Sequence, residues 1–431
     1  MKRTFLLLSM MIFSFYIYGQ NVLTIDDAIS IALKNNYDLR IARNDVDITK
    51  INNTIENAGM LPNASINGSN EYAINNVNQK LSSGNNVNET NTHSNTFSAG
   101  AFINWTLFDG GKMFIAKKKL NAMQSLEELQ YKDKVAQTVF NVIAAYYDII
   151  RQAQQLNSLM EVVNYNTERV KILQASYESG LIPKNSLLQS KIDLNVYSAN
   201  VINQKSNIIA TKRTLNLLLC RDAETAFSVT DSIPNNFVLN KDELIKSLFS
   251  NNTTILSLQK EIDISKLGIK EFNALYLPKL SFNGGYNFYE SNNSVGSILS
   301  NRLVGPQFTG TLSIPLYQSG NARRQVNIAK LQLKSSEYSL ESSKIQISIQ
   351  LQNAITIYEN QLQLLTIEQE NASLTKENLE IAMERLRLGQ TTALEVRQAQ
   401  ESFVDSQTRL INLKYNLKIA EAKLKQLIAG F

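Results

Sequence analysis

Two rhythms of apolar and polar residues alternate along this chain. The first has a period of two. From Asn63 the apolar side reads Ala64, Ile66, Gly68, Tyr72 and Ile74, against Asn63, Ser65, Asn67, Ser69 and Glu71. The next segment places Phe97, Ala99, Ala101, Ile103, Trp105 and Leu107 opposite Ser98, Asn104 and Thr106. Later, Leu280, Phe282, Gly284, Tyr286 and Phe288 alternate with Ser281, Asn283, Gly285 and Asn287, and Phe308, Leu312, Ile314 and Leu316 with Thr309, Thr311 and Ser313. Each segment has about the 9–11 residues of a tilted membrane strand. Aromatic residues on one side and small polar ones on the other predict a lipid face and a wet face. The lipid face would carry Ile66, Tyr72, Phe97, Ile103, Trp105, Phe282, Tyr286, Phe288, Phe308 and Leu312. A soluble amphipathic sheet is the alternative with the same alternation. The polar stretches Asn75 to Asn95 and Ser291 to Gly305 read as exposed hairpin loops.

The second rhythm steps by three and four, as at Phe140, Ile143, Tyr147 and Ile150, or Val170, Leu173 and Tyr177. Neither Gly nor Pro occurs in the 68 residues between Gly111 and Gly180, nor in the 68 between Gly320 and Gly389. Gly and Pro are the strongest helix breakers, so each gap predicts one continuous helix of roughly 100 Å. A second helical stretch follows each gap, and the hairpin tips fall at Gly180 to Ser186 and Gly389 to Glu395. Helices of this length pack as an extended coiled-coil assembly.

The chain is one unit written twice. Asp26 to Leu61 matches Asp242 to Leu277 at an offset of 216, with Asn35-Asn36 on Asn251-Asn252 and Leu61-Pro62 on Leu277-Pro278. Beyond Leu107 the offset is 209, placing Gly111 on Gly320, Gly180 on Gly389 and Leu218 on Leu427. The predicted organisation is a signal peptide over 1–19 and a first repeat over 20–221. A linker over 222–240 then leads to a second repeat over 241–431. Within the repeats the strand hairpins span 62–108 and 278–317, and the long helical hairpins 109–221 and 318–431. Four strands cannot close a barrel, and an open edge in lipid leaves backbone groups unpaired at several kcal/mol each. Other copies of the chain must supply the remaining strands. Two copies give eight and three give twelve.

Composition narrows the chemistry. Lys2 and Arg3 precede an apolar run from Phe5 to Tyr18 and then Gly19, the layout of a secretory signal. With one Cys and one His, a disulfide framework and a multi-ligand Cys/His metal site are both excluded within one chain. A net charge of +5 with dispersed Lys and Arg argues against nucleic acid. No nucleophile with a His partner, metal-spacing motif or Gly-rich phosphate loop is present, so neither catalysis nor a cofactor is expected. Cys220, near a helix end, reads as an inert small apolar residue.

Several short motifs, doubled and in order, carry a family resemblance. They are Leu23-Thr24-Ile25-Asp26-Asp27-Ala28, the two Leu-Pro pairs entering strands, and Leu107-Phe108-Asp109-Gly110-Gly111. Pro315-Leu316-Tyr317-Gln318-Ser319-Gly320 and the tip Arg385-Leu386-Arg387-Leu388-Gly389 complete the set. With these the whole mature chain resembles the TolC family of outer-membrane efflux proteins. The resemblance implies a mixed α/β membrane protein: a homotrimer with a twelve-stranded outer-membrane barrel above a long helical tunnel in the periplasm. It also implies a periplasmic adaptor and an inner-membrane pump as partners, and efflux or secretion of small molecules or polypeptides as function. The other reading is a structural or adhesive coiled-coil protein of the cell surface, which explains the helices but not four alternating strands.

The resemblance also suggests site residues. Gly180, Leu181, Ile182, Leu388 and Gly389 would meet the adaptor at the tips, although Ser176 stands where the first tip often carries Arg. The alternative for the apolar tip residues is packing within the same tube. Acidic residues that narrow the tunnel in the family correspond to Glu395 and, one turn on, Gln398. Their spacing puts both on one helix face, where converging carboxylates attract cations. The alternative for Glu395 is a surface charge paired with Arg397 or Lys191.

Overall fold

The computed structural model describes residues 22–430, so the expected signal peptide lies outside the described residues. The elements in chain order are α1 (Ile25–Asn35), α2 (Tyr37–Asn52), β1 (Asn63–Lys80), β2 (Asn86–Asp109), α3 (Lys112–Glu178) and α4 (Lys184–Leu218). There follow α5 (Lys241–Asn251), α6 (Thr253–Asn273), β3 (Lys279–Asn293), β4 (Ser300–Ser313), α7 (Asn321–Arg387) and α8 (Ala393–Leu427). Helices α3 and α7 each run for 67 residues without a break, and α4 and α8 for 35. The breaker-free gaps in the sequence are thus filled by single helices.

The chain divides into two compact units. The unit of residues 44–129 and 256–342 holds the strands, which form one antiparallel sheet in the order β1-β2-β3-β4. Its register sets Ile66 beside Ala101, Ala101 beside Tyr286, and Tyr286 beside Pro306. Strands β1 and β4 are the sheet's edges.

The strands are longer than the alternation indicates. Most of the predicted loops, Asn75 to Asn95 and Ser291 to Gly305, are strand, and only residues 81–85 and 294–299 separate β1 from β2 and β3 from β4. Backbone pairing continues through runs of Asn, Ser and Thr that have no apolar face, because ladder hydrogen bonds do not depend on side-chain polarity. Side chains reinforce it: the Thr92 hydroxyl donates to the Asn75 carbonyl at 2.7 Å. The register shifts between Asn75 and Val77, and Asn91, at φ 55°, donates its N–H to Asn76 Oδ1 at 3.0 Å. A second irregularity, between Thr106 and Phe108, takes Leu107 out of the alternation and pairs Phe108 with Leu280. Strand β4 ends at Ser313, so Ile314 and Leu316 lie beyond it.

The other unit is helical and has two apolar cores. One gathers Ala28 and Ala32 of α1, Val142, Tyr146 and Ile150 of α3, Leu215 of α4 and Phe227 of the inter-repeat segment. The Tyr146 hydroxyl donates to the Leu23 carbonyl at 2.9 Å. Burial pushes the neighbouring Tyr147 phenol up to about 12, helped by Tyr146, Glu421 and Asp26. The second core lies beside the hairpin turns and packs Val162, Leu173, Leu187, Leu379, Met383, Val396 and Phe403.

Candidate functional site

The register puts the expected lipid-facing residues on one side of the sheet. Rows across it read Ile66–Ala101–Tyr286–Pro306 and Ala64–Ile103–Gly284–Phe308. Ile66 is 86% exposed and Phe308 71%, and Tyr72, Phe97, Ile103, Trp105, Tyr286 and Leu312 are also exposed. Phe282 and Phe288 are half-buried by stacking on Phe308 and an edge contact with Phe97. An apolar depression over Gly284 is bounded by Ile66, Ile103, Phe282, Tyr286 and Phe308. Trp105 donates its indole N–H to the Met60 carbonyl at 2.9 Å, and the Arg302 guanidinium lies 5.0 Å from the centre of the Phe288 ring. A contiguous apolar face of this kind marks a surface that contacts a membrane or another protein.

The opposite face is polar. Its rows read Asn63–Asn104–Asn283–Thr309, Ser65–Phe102–Gly285–Gln307 and Asn67–Gly100–Asn287–Gly305. The exceptions are Phe102, and Tyr289 and Leu303 in the row Ser69–Ser98–Tyr289–Leu303. The only signal of Phe102 in the sequence is an aromatic residue out of phase with its neighbours.

The two hairpin turns have the same construction. At the first, Gly180 has φ +77°, its N–H donates to the Tyr177 carbonyl at 2.9 Å, and that of Leu181 to the Ser176 carbonyl at 2.8 Å. At the second, Gly389 has φ +71°, with Gly389 to Leu386 at 3.1 Å and Gln390 to Arg385 at 2.8 Å. Glycine adopts this left-handed end without a Cβ penalty. Leu181 is 78% exposed and Leu388 61%. Ile182 instead turns back onto the core beside the turns.

Helix α8 opens with Thr392, whose hydroxyl accepts the Glu395 N–H at 3.3 Å. Glu395 and Gln398 are both exposed, while Val396, Ala399, Gln400 and Phe403 form the buried side of the same turns. The Glu395 carboxylate accepts from the Thr391 hydroxyl and lies 3.9 Å from Arg385. Neither expected partner contacts it. Arg397 bonds Glu401 at 3.1 Å, and Lys191 donates to Gln174 at 3.1 Å. Arg397, two residues on from Glu395, faces another side of the helix, toward Asp193.

A buried charge ties the two hairpins together. Arg169 of α3, 2% exposed, donates to Asp193 of α4 at 2.5 Å and to Gln400 of α8 at 3.2 Å. Desolvation lowers the pKa of this guanidinium, while Asp193 opposes the shift. No sequence spacing announces the cluster. Among the described residues no group of His, Cys, Asp or Glu could hold a metal ion, and no helix is long and apolar enough to cross a membrane. His93 accepts or donates through Nδ1 to the Tyr72 hydroxyl at 2.8 Å.

A family model described as outer membrane efflux protein matches residues 28–221 and 244–430. Among solved structures, CusC, described with its folding and transmembrane channel formation, superposes with a TM-score of 0.78 at 18% identity, covering 96% of this chain and 93% of that one. The Campylobacter jejuni CmeC outer membrane channel gives 0.80 at 17% identity, over 94% of this chain and 85% of that one. The outer membrane protein VceC of Vibrio cholerae gives 0.76 at 16% identity, over 94% and 96%. At these identities the likeness is one of fold: long helical hairpins with a four-stranded sheet per chain. No curated protein sequence matches the chain.

Proposed function

The chain belongs to the outer membrane efflux protein family and is an outer-membrane efflux channel extending into the periplasm, and we propose that three copies build it as one twelve-stranded barrel. The observation that carries the proposal is the pair of free edges, β1 and β4, on a sheet with one continuous apolar face. Edges in lipid must be paired, and the β4 edge of one copy meeting the β1 edge of the next pairs them all. Exposed apolar residues at seven-residue spacing on α7, namely Ile367, Leu374 and Ile381, support packing of this helix against a neighbouring copy.

The chain then works as a conduit without chemistry of its own, and energy comes from an inner-membrane pump through a periplasmic adaptor. The exposed apolar tips at Leu181 and Leu388, beside Gly180 and Gly389, support adaptor docking there, with Ile182 as a packing residue behind them. Glu395 and Gln398 stand as the gate, one carboxylate per copy. Equal lengths of α3 and α7, and of α4 and α8, support a duplicated chain of repeats 20–221 and 241–431 joined by 222–240, and the basic, then apolar, layout of residues 1–19 supports their removal as a secretory signal. A surface adhesin leaves the sheet without a purpose.

Membrane fractionation tests this reading. The protein should sediment with the outer membrane and run as a detergent-resistant oligomer that boiling dissociates. A soluble periplasmic monomer would overturn it.

A further inference from the structure

Phe102 lies on the polar face of the sheet, in a row between Ser65 and Gly285. Its ring bridges two glycines. A Cβ built on Gly100 would stand 2.8 Å from Cζ of the ring, and one built on Gly285 would stand 2.6 Å from Cδ1. No side chain larger than hydrogen fits under the ring at either place, so one face of the ring rests on bare backbone. The other face turns away from the sheet, and the side chain is only half-buried. Around it the same polar face presents the amides of Asn67, Asn104, Asn283, Asn287 and Gln307.

We propose that Phe102 and this ring of amides form a contact site in the channel wall for flat aromatic cargo with polar or cationic substituents. The inference rests on the reading of the polar face as the lumen wall. Covering glycines steadies a sheet, and any apolar side chain of similar size does part of that. A flat, open aromatic face adds something a branched aliphatic group lacks. Aromatic rings stack on it in offset geometry, and cations are drawn to its negative face. Carboxamides supply both donors and acceptors to a ligand's edge. Three copies would set three such sites at one height, held against the wall by their glycine seats, so that cargo is slowed without the bore being closed.

Single-channel recording of the purified oligomer in planar bilayers tests this with two probes, ethidium as a flat aromatic cation and tetrapropylammonium as a saturated one. Ethidium should block the wild-type pore with dwell times roughly two- to fivefold longer than those in Phe102→Leu, the range of an exposed cation–π contact. Tetrapropylammonium dwell times should not change, and Phe102→Tyr should behave as wild type. Equal ethidium dwell times in wild type and Phe102→Leu, or the same change for both probes, would overturn the proposal. Should Phe102→Leu fail to assemble, the wild-type pore decides: ethidium must outlast tetrapropylammonium, and indifference overturns the site. A conducting pore with indifferent block removes this inference alone, whereas absence of any conducting pore removes the lumen reading with it.

Discussion

The side-chain amide of Asn252 donates to the carbonyl of Leu427 at 2.8 Å, and Asn36 makes the same bond to Leu218 at 3.0 Å. In each case Oδ1 of the same asparagine accepts an N–H from the first turn of the next helix, Ile255 at 3.1 Å and Leu39 at 3.2 Å. One buried side chain thus starts one helix and holds the end of another 175 or 182 residues away. Both carbonyls belong to the last turn of a helix, where no intrahelical donor remains.

Asn252→Ala should therefore cost both a cap and a buried acceptor's partner, about 1–3 kcal/mol in all. Asn252→Asp keeps the capping oxygen but sets a carboxylate against the Leu427 carbonyl, so it should not restore stability. Thermal unfolding followed by circular dichroism measures both variants against wild type.

Ile103 and Asn104 are adjacent and face opposite sides of the sheet. Ile103→Arg should impair assembly, because Arg on a lipid face near the midplane costs roughly 2–4 kcal/mol. Asn104→Arg points into water and should be tolerated. The yield of heat-dissociable oligomer in outer membranes reads the difference, and equal yields would reverse the assignment of faces.

The alternation of Ile103 and Asn104, and the breaker-free gaps filled by α3 and α7, are legible because hydrophobic period and helix breaking are local properties. The length of the strands is not. From Asn75 to Asn95 no apolar stripe marks a face, and only pairing between chain segments reveals the ladder. The tip turns at Gly180 and Gly389 are legible from glycine alone. The bond of Arg169 to Asp193 and the pairing of Glu395 with Arg385 are not, since they depend on how a hairpin closes. Asn36 and Asn252 stand out in the sequence only as matched positions, because their partners are main-chain atoms that any residue supplies.

Gly110, at φ +75°, follows β2 where a Cβ would stand 2.6 Å from the Ala274 carbonyl oxygen and 2.7 Å from Cβ of Leu277. Ser319 occupies the matching position of the second repeat at φ 49°. Gly110→Ala should sharply reduce assembled oligomer, since backbone strain and overlap act together. Ser319→Gly relieves strain only and should raise thermal stability, by about 1 kcal/mol. A loss in Gly110→Ala no larger than the gain in Ser319→Gly would show that the backbone angle alone governs the site.

Glu395 is exposed and only loosely held by Arg385. Converging copies of this carboxylate should make the pore mildly cation-selective and sensitive to multivalent cations. Glu395→Gln should weaken both properties in single-channel recordings. Unchanged selectivity and block would remove Glu395 from the gate.

Disulfide cross-linking of the sheet edges tests the central claim most directly. Strands β1 and β4 are separated within one chain by β2 and β3. With strands about 4.8 Å apart, that distance is beyond the reach of a disulfide. In a Cys220→Ala background, cysteine pairs scanned over Ser65, Asn67 and Ser69 of β1 and Gln307, Thr309 and Thr311 of β4 can therefore join only different chains. The account predicts a ladder of covalent species in oxidised outer membranes that ends at three chains. No cross-link at any register, or a ladder that stops at two or runs past three, would contradict it.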